Sequence, residues 1–338
     1  MKSTLPHSSP ILHTFFQKFD PFADAPNVVA KMRELVLDLA VQGILVESRA
    51  SDGDGHTLLK KLRMLPPERN SKSRSPKDTP VEPDTPLEIP SHWALTTVEN
   101  TTRETGFFCD GDWVESKDQD PDGDVSSLKH GYAFSSNFFT SEPAPFVLTT
   151  PGNFYEKGGF RDRESKRKYY SGPVDPEFVF KPGDLIIPMT EQAAGLLGSP
   201  AFIPDGGRVY IHNQRLGKLS FSESIAPEFA FWFFNSEFFR GELARTCTGM
   251  KVRHTSPDRV LKVPFPLPPL AEQLRIVAKV DQLMALVEQL ETQLAASRTT
   301  AANLLEALVA ELTAASANGA FQTSLGQRPS RNRKQNEG

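Results

Sequence analysis

An apolar stripe with helical spacing runs through residues 24–43. Its members follow at steps of four, three and four, with two valines beside them: Val28, Met32, Leu35 and Leu39, then Val29 and Val36. Such spacing places apolar side chains on one face of a helix. Asp24 suits the cap, Pro26 the first turn and Gly43 the end of that helix. The segment therefore predicts a helix that packs against a partner.

A longer apolar seam lies near the carboxyl end. It keeps steps of four and three throughout: Ile276, Val280, Leu283, Val287, Leu290, Leu294, Ser297, Ala301, Leu304 and Leu308. So narrow a stripe, sustained over about five heptads, is typical of a coiled coil. The alternative is a helix lying across a core, which normally needs a wider apolar face. The helix of residues 28–39 and a second copy of the long helix are both candidate partners for the seam.

The pattern changes twice between these helical segments. Residues 66–90 contain seven prolines among polar and charged residues, a composition that cannot bury enough apolar surface to fold and that predicts an exposed linker. Short apolar runs between Gly, Pro, Asn and Asp then predict strands at residues 178–180, 184–188, 208–211 and 216–221. The aromatic-rich residues 226–245 predict a helical stretch whose rings belong to the core.

The predicted fold class is α+β, with one mixed, mostly β domain and a long coiled-coil helical scaffold. We divide the chain into an amino-terminal helical region (1–65), a proline-rich linker (66–90), a mostly β domain (91–265), a long coiled-coil helix (266–316) and a disordered basic tail (317–338).

Composition limits the possible functions. The 338 residues are 38% hydrophobic with a formal net charge of -4, so any surface that binds nucleic acid must be local. Cys109 and Cys247 have no CxxC partner, which fits a reducing compartment and neither a disulfide framework nor a thiolate zinc site. We find no signal peptide and no apolar stretch approaching the ~18 residues of a membrane span. The chain is expected to be cytoplasmic.

The motifs that usually indicate catalysis are missing. The sequence has no GxxxxGK[ST] loop, no HExxH, no Asp/Asn-Pro-Pro-aromatic stretch and no glycine-rich nucleotide turn, and its seven histidines are scattered. Glu164, Ser165 and Lys166, with Asp122 upstream, have residue types found in magnesium-dependent nucleases. No hydrophobic strand surrounds them to fix that geometry. We therefore expect no catalytic residues and no metal site.

The same region carries a concentrated positive charge. Residues 161–168 hold five basic and two acidic residues, a local charge of +3, and two tyrosines follow. Further polar clusters lie at residues 212–215 and 248–254. Arginine can bind guanine, and asparagine or glutamine can bind adenine, through paired hydrogen bonds, whereas lysine suits phosphates. The alternative is a solvated loop. The candidate DNA-binding residues are Arg161, Arg163, Lys166, Arg167, Lys168, Tyr169, Gln192, His212, Asn213, Gln214, Arg215, Lys251 and Arg253.

Five stretches together carry a resemblance to a known family. They are ADAPNVVAKMRELVLDLAVQGILV, LEIPSHWAL, PMTEQAAGLLGS, YIHNQRLGKL and TGMKVRHTSPDRVLKVPFPLPPLAEQLRIVAKVDQLM. The chain resembles the specificity subunit of type I restriction-modification systems, in a half-length form with a single target-recognition domain. The last stretch is the most specific, because a recognition domain that closes on a PLPPLAEQ-type turn into a long helix is characteristic of this family.

The resemblance implies a DNA-reading subunit without a catalytic centre. Its implied partners are double-stranded DNA, DNA methyltransferase (modification) subunits, a restriction/translocase subunit, and a second half-subunit that is either identical or different. S-adenosylmethionine, ATP and Mg²⁺ are expected on partner subunits, and no cofactor on this chain. The implied scaffold and subunit interface comprises Val28, Met32, Leu35, Leu39, Ile276, Val280, Leu283, Val287, Leu290, Leu294, Leu304 and Leu308.

Three other functions stay open at this point. The chain could be a self-contained nuclease that uses Glu164, a decoy that occupies the modification subunit without reading DNA, or the specificity subunit of a related system in which methylase and nuclease share one polypeptide. The identity of the DNA target does not follow from the sequence, because base reading depends on loop geometry and DNA shape.

Overall fold

The computed structural model describes residues 27–64, 87–101, 108–109, 131–247 and 253–325. The chain divides into two compact units, Met1–Met284 and Ala285–Gly338. The helices are α1 (Val28–Val41), α2 (Gly55–Met64), α3 (Val98–Thr101), α4 (Pro227–Phe234), α5 (Glu237–Thr246), α6 (Pro257–Leu261) and α7 (Leu270–Leu325). The strands are β1 (Ala94–Thr97), β2 (Phe108–Cys109), β3 (Phe139–Thr140), β4 (Phe146–Leu148), β5 (Tyr169–Tyr170), β6 (Leu185–Pro188), β7 (Ala201–Phe202), β8 (Val209–Ile211), β9 (Leu216–Leu219) and β10 (Pro264–Leu267).

Helix α1 ends where the sequence predicts. Gly43 has a φ of 70° and follows the last turn, a conformation that glycine adopts without a steric penalty. A Cβ atom at this position would lie 2.6 Å from Cγ of Pro90 and 2.8 Å from Cζ2 of Trp93. Gly43 is therefore required both by its backbone angle and by the close approach of the segment before β1. Asp24 and Pro26 lie outside the described residues.

Residues 94–267 form the middle segment of the chain, and its two ends are joined by a short sheet. β1 and β10 pair antiparallel, with Ala94 opposite Leu267 and Thr97 opposite Pro264. A two-stranded pair tolerates the prolines of β10, because each strand has a side on which no ladder hydrogen bond is needed. The chain therefore enters and leaves this segment at the same place, which is also where α7 begins.

Two four-stranded sheets form the centre of the middle segment. One has the order β2-β9-β6-β7 and the other β3-β5-β4-β8. All pairs in the first sheet are antiparallel, whereas β4 and β8 run parallel in the second. The expected α+β class, with a mixed, mostly β domain and a long helix, is confirmed. The predicted strand at 178–180 is wrong, because Pro176–Phe178 is a 3₁₀ turn and Val179 makes only an isolated bridge.

The aromatic-rich stretch forms two helices rather than one. Asn235 ends α4, and the side chain of Ser236 caps α5 by accepting a hydrogen bond from the backbone N–H of Phe239 at 3.2 Å. Phe233 is buried and its ring centroid lies 4.6 Å from that of Phe265 in β10. The predicted core role of these rings is confirmed.

Helix α7 is 56 residues long and begins later than position 266, because Pro264–Leu267 forms β10. Within the first unit, Ile276, Val280 and Met284 are buried in the core of their own chain. The interpretation of a helix lying across a core therefore holds for this part of the seam. Toward the carboxyl end of the helix, in the second unit, five apolar side chains are more than half exposed: Leu304, Leu305, Leu308, Val309 and Leu312. None of the helices described is both long enough and apolar enough to cross a membrane.

Candidate nucleic-acid interface

The basic loop before β5 is folded around one ion-pair network. Arg167 donates two hydrogen bonds to Asp162, from Nε to Oδ1 and from Nη2 to Oδ2, each 2.6 Å long. Nη1 of Arg208 reaches the same carboxylate at 3.2 Å. The Arg167 hydrogen bond is the main reason why the pKa of Asp162 falls to about 2. Arg167, a predicted DNA contact, is thus engaged in holding the shape of the loop.

The other predicted residues of this loop differ in exposure. Arg161, Lys166 and Lys168 are exposed, and Arg163 is half-buried. Tyr169 is half-buried and packs against the core of the domain. The three exposed cations are the side chains of this loop best placed to meet phosphates, since a DNA backbone needs accessible positive charge.

The residues considered for a nuclease form an exposed turn. Glu164–Lys166 is a 3₁₀ turn without buried residues, and Glu164 has a φ of 45°, which is uncommon for a residue other than glycine. Asp122 lies outside the described residues. Within the described part of the chain, no group of three or more His, Cys, Asp and Glu side chains could hold a metal ion.

The second predicted cluster is the turn between β8 and β9. His212 is 2% exposed, and its Nε2 lies 2.8 Å from the carbonyl oxygen of Leu216. The predicted DNA contact through His212 is therefore not supported, because its ring belongs to the core. Asn213 shapes the turn by accepting a hydrogen bond from the backbone N–H of Arg215 at 3.0 Å. Gln214 is half-buried and Arg215 is exposed, which leaves these two as candidates for base contacts.

The third predicted cluster is built around Glu191. Arg253 binds its carboxylate through two hydrogen bonds, of which the one from Nη2 to Oε1 is 3.0 Å long. This partner raises the pKa of Arg253. The backbone N–H of Glu191 also donates to the carbonyl of Arg253 at 2.9 Å. Gln192 beside it is exposed, whereas Lys251 lies outside the described residues.

The structure brings the second and third clusters to the same end of β6. The backbone N–H of Met189 donates to the carbonyl of Arg215 at 2.9 Å, and its carbonyl accepts from the N–H of Thr255 at 3.0 Å. The turn that carries Arg215 and the segment that carries Arg253 therefore flank one residue. This arrangement places amide and guanidinium groups from distant parts of the sequence at one edge of the domain.

A fourth element lies next to these clusters, in the stretch GNFYEKGGF, whose glycines indicate a close backbone approach but none of whose residues is among the candidate DNA contacts. It is the turn Tyr155–Gly159, which is hydrogen-bonded to the segment that follows Glu191 and Gln192. Ser199 Oγ donates to the carbonyl of Tyr155 at 2.6 Å, and the N–H of Gly159 donates to the carbonyl of Pro200 at 2.8 Å. The consecutive glycines 158 and 159 were a signal for a tight turn. Nothing local marked Arg240, which binds this turn from α5.

The start of α7 is attached to the amino-terminal region within the first unit. Glu272 is 1% exposed, and its Oε2 lies 2.8 Å from Nε2 of His92. Arg275 donates to the carbonyl of Glu47 at 2.8 Å and pairs with Asp52. The AEQ part of the PLPPLAEQ stretch is therefore a structural junction.

The predicted scaffold residues fall into three classes of exposure. Buried are Val28, Leu39, Ile276, Val280 and Val287; half-buried are Met32, Leu35, Leu283, Leu290 and Leu294; exposed are Leu304 and Leu308. The exposed pair belongs to the second unit, so this is where the seam is open to another chain.

Comparison of the sequence with known proteins finds no matching family model. The chain is 27% identical over 295 residues to the type I restriction enzyme EcoAI specificity subunit of Escherichia coli, covering 84% of this chain and 44% of that protein. It is 26% identical over 300 residues to the EcoEI specificity subunit of the same species, with the same two coverages. A shorter match of 136 residues, 27% identical, covers 40% of this chain and 31% of the MjaVIII specificity subunit of Methanocaldococcus jannaschii. The chain spans less than half the length of these relatives.

Solved structures give a weaker likeness. A chain from work on complex assembly and conformational transition of the type I R-M system matches 86% of this chain and 54% of its own length, with a TM-score of 0.46 and 16% identity. The HsdS subunit from Thermoanaerobacter tengcongensis matches 83% of this chain and 52% of its own length, with a TM-score of 0.41 and 16% identity.

Proposed function

We propose that this chain, as a homologue of type I restriction enzyme specificity subunits, is the DNA-reading subunit of a type I restriction-modification complex. Residues 91–265 read one part of a bipartite target, and partner subunits methylate and cut. The chain has no catalytic role in this proposal, and it works in the cytoplasm, where its DNA is.

The homology to named specificity subunits over 84% of the chain carries this proposal. The geometry of the middle segment agrees with it. Exposed cations lie on the basic loop, and Gln192, Gln214 and Arg215 lie around the end of β6. Reading DNA needs both kinds of group, because phosphate contacts set the register while contacts to base edges select the sequence.

The decisive experiment is methylome sequencing of cells that express this chain together with its modification subunit. A new methylated motif that disappears when this chain is deleted is the expected result. Methylation without any motif, or a complex that forms without methylating, would instead favour the decoy that occupies the modification subunit.

The absence of catalysis is tested on the purified chain alone. We expect neither transfer of labelled methyl groups from S-adenosylmethionine nor nicking of plasmid DNA with Mg²⁺. The proposal assigns S-adenosylmethionine, ATP and Mg²⁺ to the partner subunits. Nicking by the chain, abolished in Glu164→Gln, would identify a nuclease.

The exposed apolar side chains of the long helix provide a surface on which a second DNA-recognition subunit can bind. One recognition domain covers only a few base pairs, too little to select among the ~10⁶ or more competing sites of a genome. Leu304, Leu305 and Leu308 are exposed in the second unit, and burial of apolar surface at ~25 cal/mol per Å² favours covering them. We propose a second copy of the chain as the partner of this helix, with modification subunits bound to the same scaffold.

A further inference from the structure

The turn Tyr155–Gly159 has a bound backbone and exposed side chains. The carbonyl oxygens of its first three residues each accept a hydrogen bond from a side chain elsewhere in the domain. The side chains of those same three residues are exposed. Gly158 and Gly159 complete the turn with φ values of 85° and 100°, which other residues rarely adopt. The turn is thus held rigidly from inside while it presents its side chains outward.

Arg240 is the centre of this attachment. Its Nη1 donates to the carbonyl of Glu156 at 2.6 Å and to the carbonyl of Gly195 at 3.0 Å, so that one nitrogen bridges two loops. Its Nη2 donates to Oδ1 of Asn235, whose Nδ2 donates to the carbonyl of Lys157 at 2.6 Å. Burial lowers the pKa of Arg240 to about 10, so the group is charged at neutral pH.

The buried guanidinium of Arg240 is costly to the fold, and this cost indicates that the contacts it makes with the two loops have a function. Removing a guanidinium from water is costly unless its donors are satisfied. Here Nη1 and Nη2 are satisfied by main-chain carbonyls of two loops and by one amide, whereas the buried Nε has no hydrogen-bond partner among the residues that the structure describes. A surface loop does not normally require such support, since most loops are held by their own turns and tolerate mobility. The arrangement is what a domain needs when it must hold exposed side chains in a fixed relation to one another.

The side chains so held are suited to nucleic acid. Tyr155 is 45% exposed, and the guanidinium carbon of Arg161 lies 5.8 Å from the centroid of its ring, within the range of a cation–π contact. Arg161 is anchored by its backbone N–H, which donates to the carbonyl of Asn153 at 2.7 Å. The other loop bound by Arg240 carries the exposed Gln192. Both loops therefore bring groups that can contact base edges.

We propose that the turn Tyr155–Gly159 is a DNA-contacting element of this domain and that Arg240 is the residue that positions it. The ring of Tyr155 orients Arg161 toward a base edge, and Lys157 lies at the phosphate backbone. Arg240 acts at a distance from the DNA, by making this turn and the loop of Gln192 move as one body. The inference rests on the proposed DNA-reading function and adds to it an element and a residue with stated roles.

Binding measurements on the assembled complex test the contact. The probes are a duplex that carries the methylated motif and a duplex of the same composition with the motif scrambled, each titrated into full chain plus modification subunit. Tyr155→Ala is expected to lower the ratio of specific to non-specific affinity about 5-fold. The substitution removes an exposed cation–π contact and with it the group that orients Arg161. Tyr155→Phe keeps the ring and is expected to stay near the wild-type ratio. An unchanged ratio in Tyr155→Ala overturns the contact.

Three arginine variants test the positioning role. Arg240→Met removes every donor at similar volume, and we expect a loss about as large as that of Tyr155→Ala. Arg240→Lys restores an ammonium group that can donate to the same two carbonyls, and it should recover most of the ratio. Arg245→Met is the matched control, because Arg245 lies on the same helix and pairs with Glu242. An equal loss in this control, or no recovery with lysine, contradicts the positioning role.

A double-mutant cycle separates positioning from general destabilisation. If Arg240 acts through the turn, Tyr155→Ala has a smaller effect in the Arg240→Met background than in the wild type. If the two substitutions act independently, their fold-changes in the affinity ratio multiply in the double variant. That outcome overturns the proposal.

Hydrogen exchange on the free chain gives a readout that needs no DNA. Arg240→Met is expected to speed exchange at Gly158 and Gly159, with the strands of both sheets unchanged. Faster exchange with unaltered binding would refute the DNA contact while leaving the proposed function intact. Absence of any methylated motif with the wild-type chain would refute the proposed function itself.

Discussion

Gln273, on the first turn of α7, accepts a hydrogen bond on its Oε1 from the backbone N–H of Ala226 at 2.8 Å. Its Nε2 donates to the carbonyls of Ser224 at 3.3 Å and of Pro268 at 3.0 Å. The side chain is 0% exposed. One amide therefore ties the start of the long helix to the segment before α4 and to the proline turn behind it.

Replacing this amide is expected to destabilise the first unit. Gln273→Met keeps the side-chain volume but leaves the N–H of Ala226 buried without its acceptor, and unsatisfied buried groups cost ~1–3 kcal/mol each. We expect the free energy of unfolding, measured by urea titration, to fall by about 2 kcal/mol. Leu274→Ala is the control, because Leu274 is 54% exposed. A fall no larger than in this control would show that the amide is not a structural anchor.

The ionised carboxylate of Asp38, on α1, is expected to destabilise the folded state. Burial raises the pKa of Asp38, and the neighbouring carboxylates Glu237 and Glu34 add to the effect, whereas Lys31 opposes it. A raised pKa means that the folded state holds the proton more tightly than the unfolded state. The penalty is therefore absent below the ordinary value of 3.8 and fully present above the folded pKa. Stability falls as pH rises through that window.

Asp38→Asn should consequently stabilise the fold at pH 7, by up to about 1 kcal/mol for a partly exposed charge. The difference from the wild type should disappear near pH 3. Asp54→Asn is the opposite control, because hydrogen bonds from the N–H and hydroxyl of Thr57 lower the pKa of Asp54. That variant is expected to be destabilised at pH 7 and to match the wild type at low pH. Thermal unfolding at both pH values checks the pair.

Features that depend on neighbouring residues were predictable from the sequence. The stop of α1 at Gly43 follows from glycine's tolerance of a positive φ, and the strand at 184–188 from an apolar run between turns. The break between α4 and α5 at Ser236 also depends on local sequence, since serine is a good helix cap. It was not predicted, because the aromatic residues on both sides indicate one continuous helix.

Features that depend on distant residues were not predictable in this way. A heptad pattern shows that Ile276 and Val280 are covered, but not that the cover is the core of their own chain. His212 has the chemistry of a base contact, and only its packing shows that it is buried. Arg240 looks like a surface residue of an aromatic helix until the two loops it bridges are placed beside it.

Substitutions should distinguish the residues that contact bases from those that contact phosphates. Arg215→Ala or Gln214→Ala is expected to lose ~1–3 kcal/mol of discrimination between the motif and its variants, because each side chain can make paired hydrogen bonds with a base. Lys168→Ala should weaken binding to all duplexes and reduce the salt slope by about one phosphate contact. Titrations of the assembled complex at several salt concentrations measure both quantities. Unchanged discrimination and salt slope in all three variants would move the DNA face elsewhere.

Pairing of two chains is the remaining prediction, and it follows from the open part of the seam. Leu308 is 55% exposed and Leu304 is 61% exposed in the second unit. Leu308→Glu places a charge in that stripe and should prevent pairing, since an unpaired charge is costly in a buried helix interface.

Light scattering on the complex with the modification subunit checks the copy number. We expect two copies of this chain in the wild-type complex and one in Leu308→Glu. Thr299→Glu is the matched control, because Thr299 is exposed and lies away from the seam positions, and it should leave two copies. Two-fold symmetry would place two identical recognition domains on opposite strands. The methylated motif should then be a palindrome interrupted by a fixed spacer. One copy in the wild-type complex, or a motif without that symmetry, would exclude the homodimer and favour a different half-subunit as the second reader.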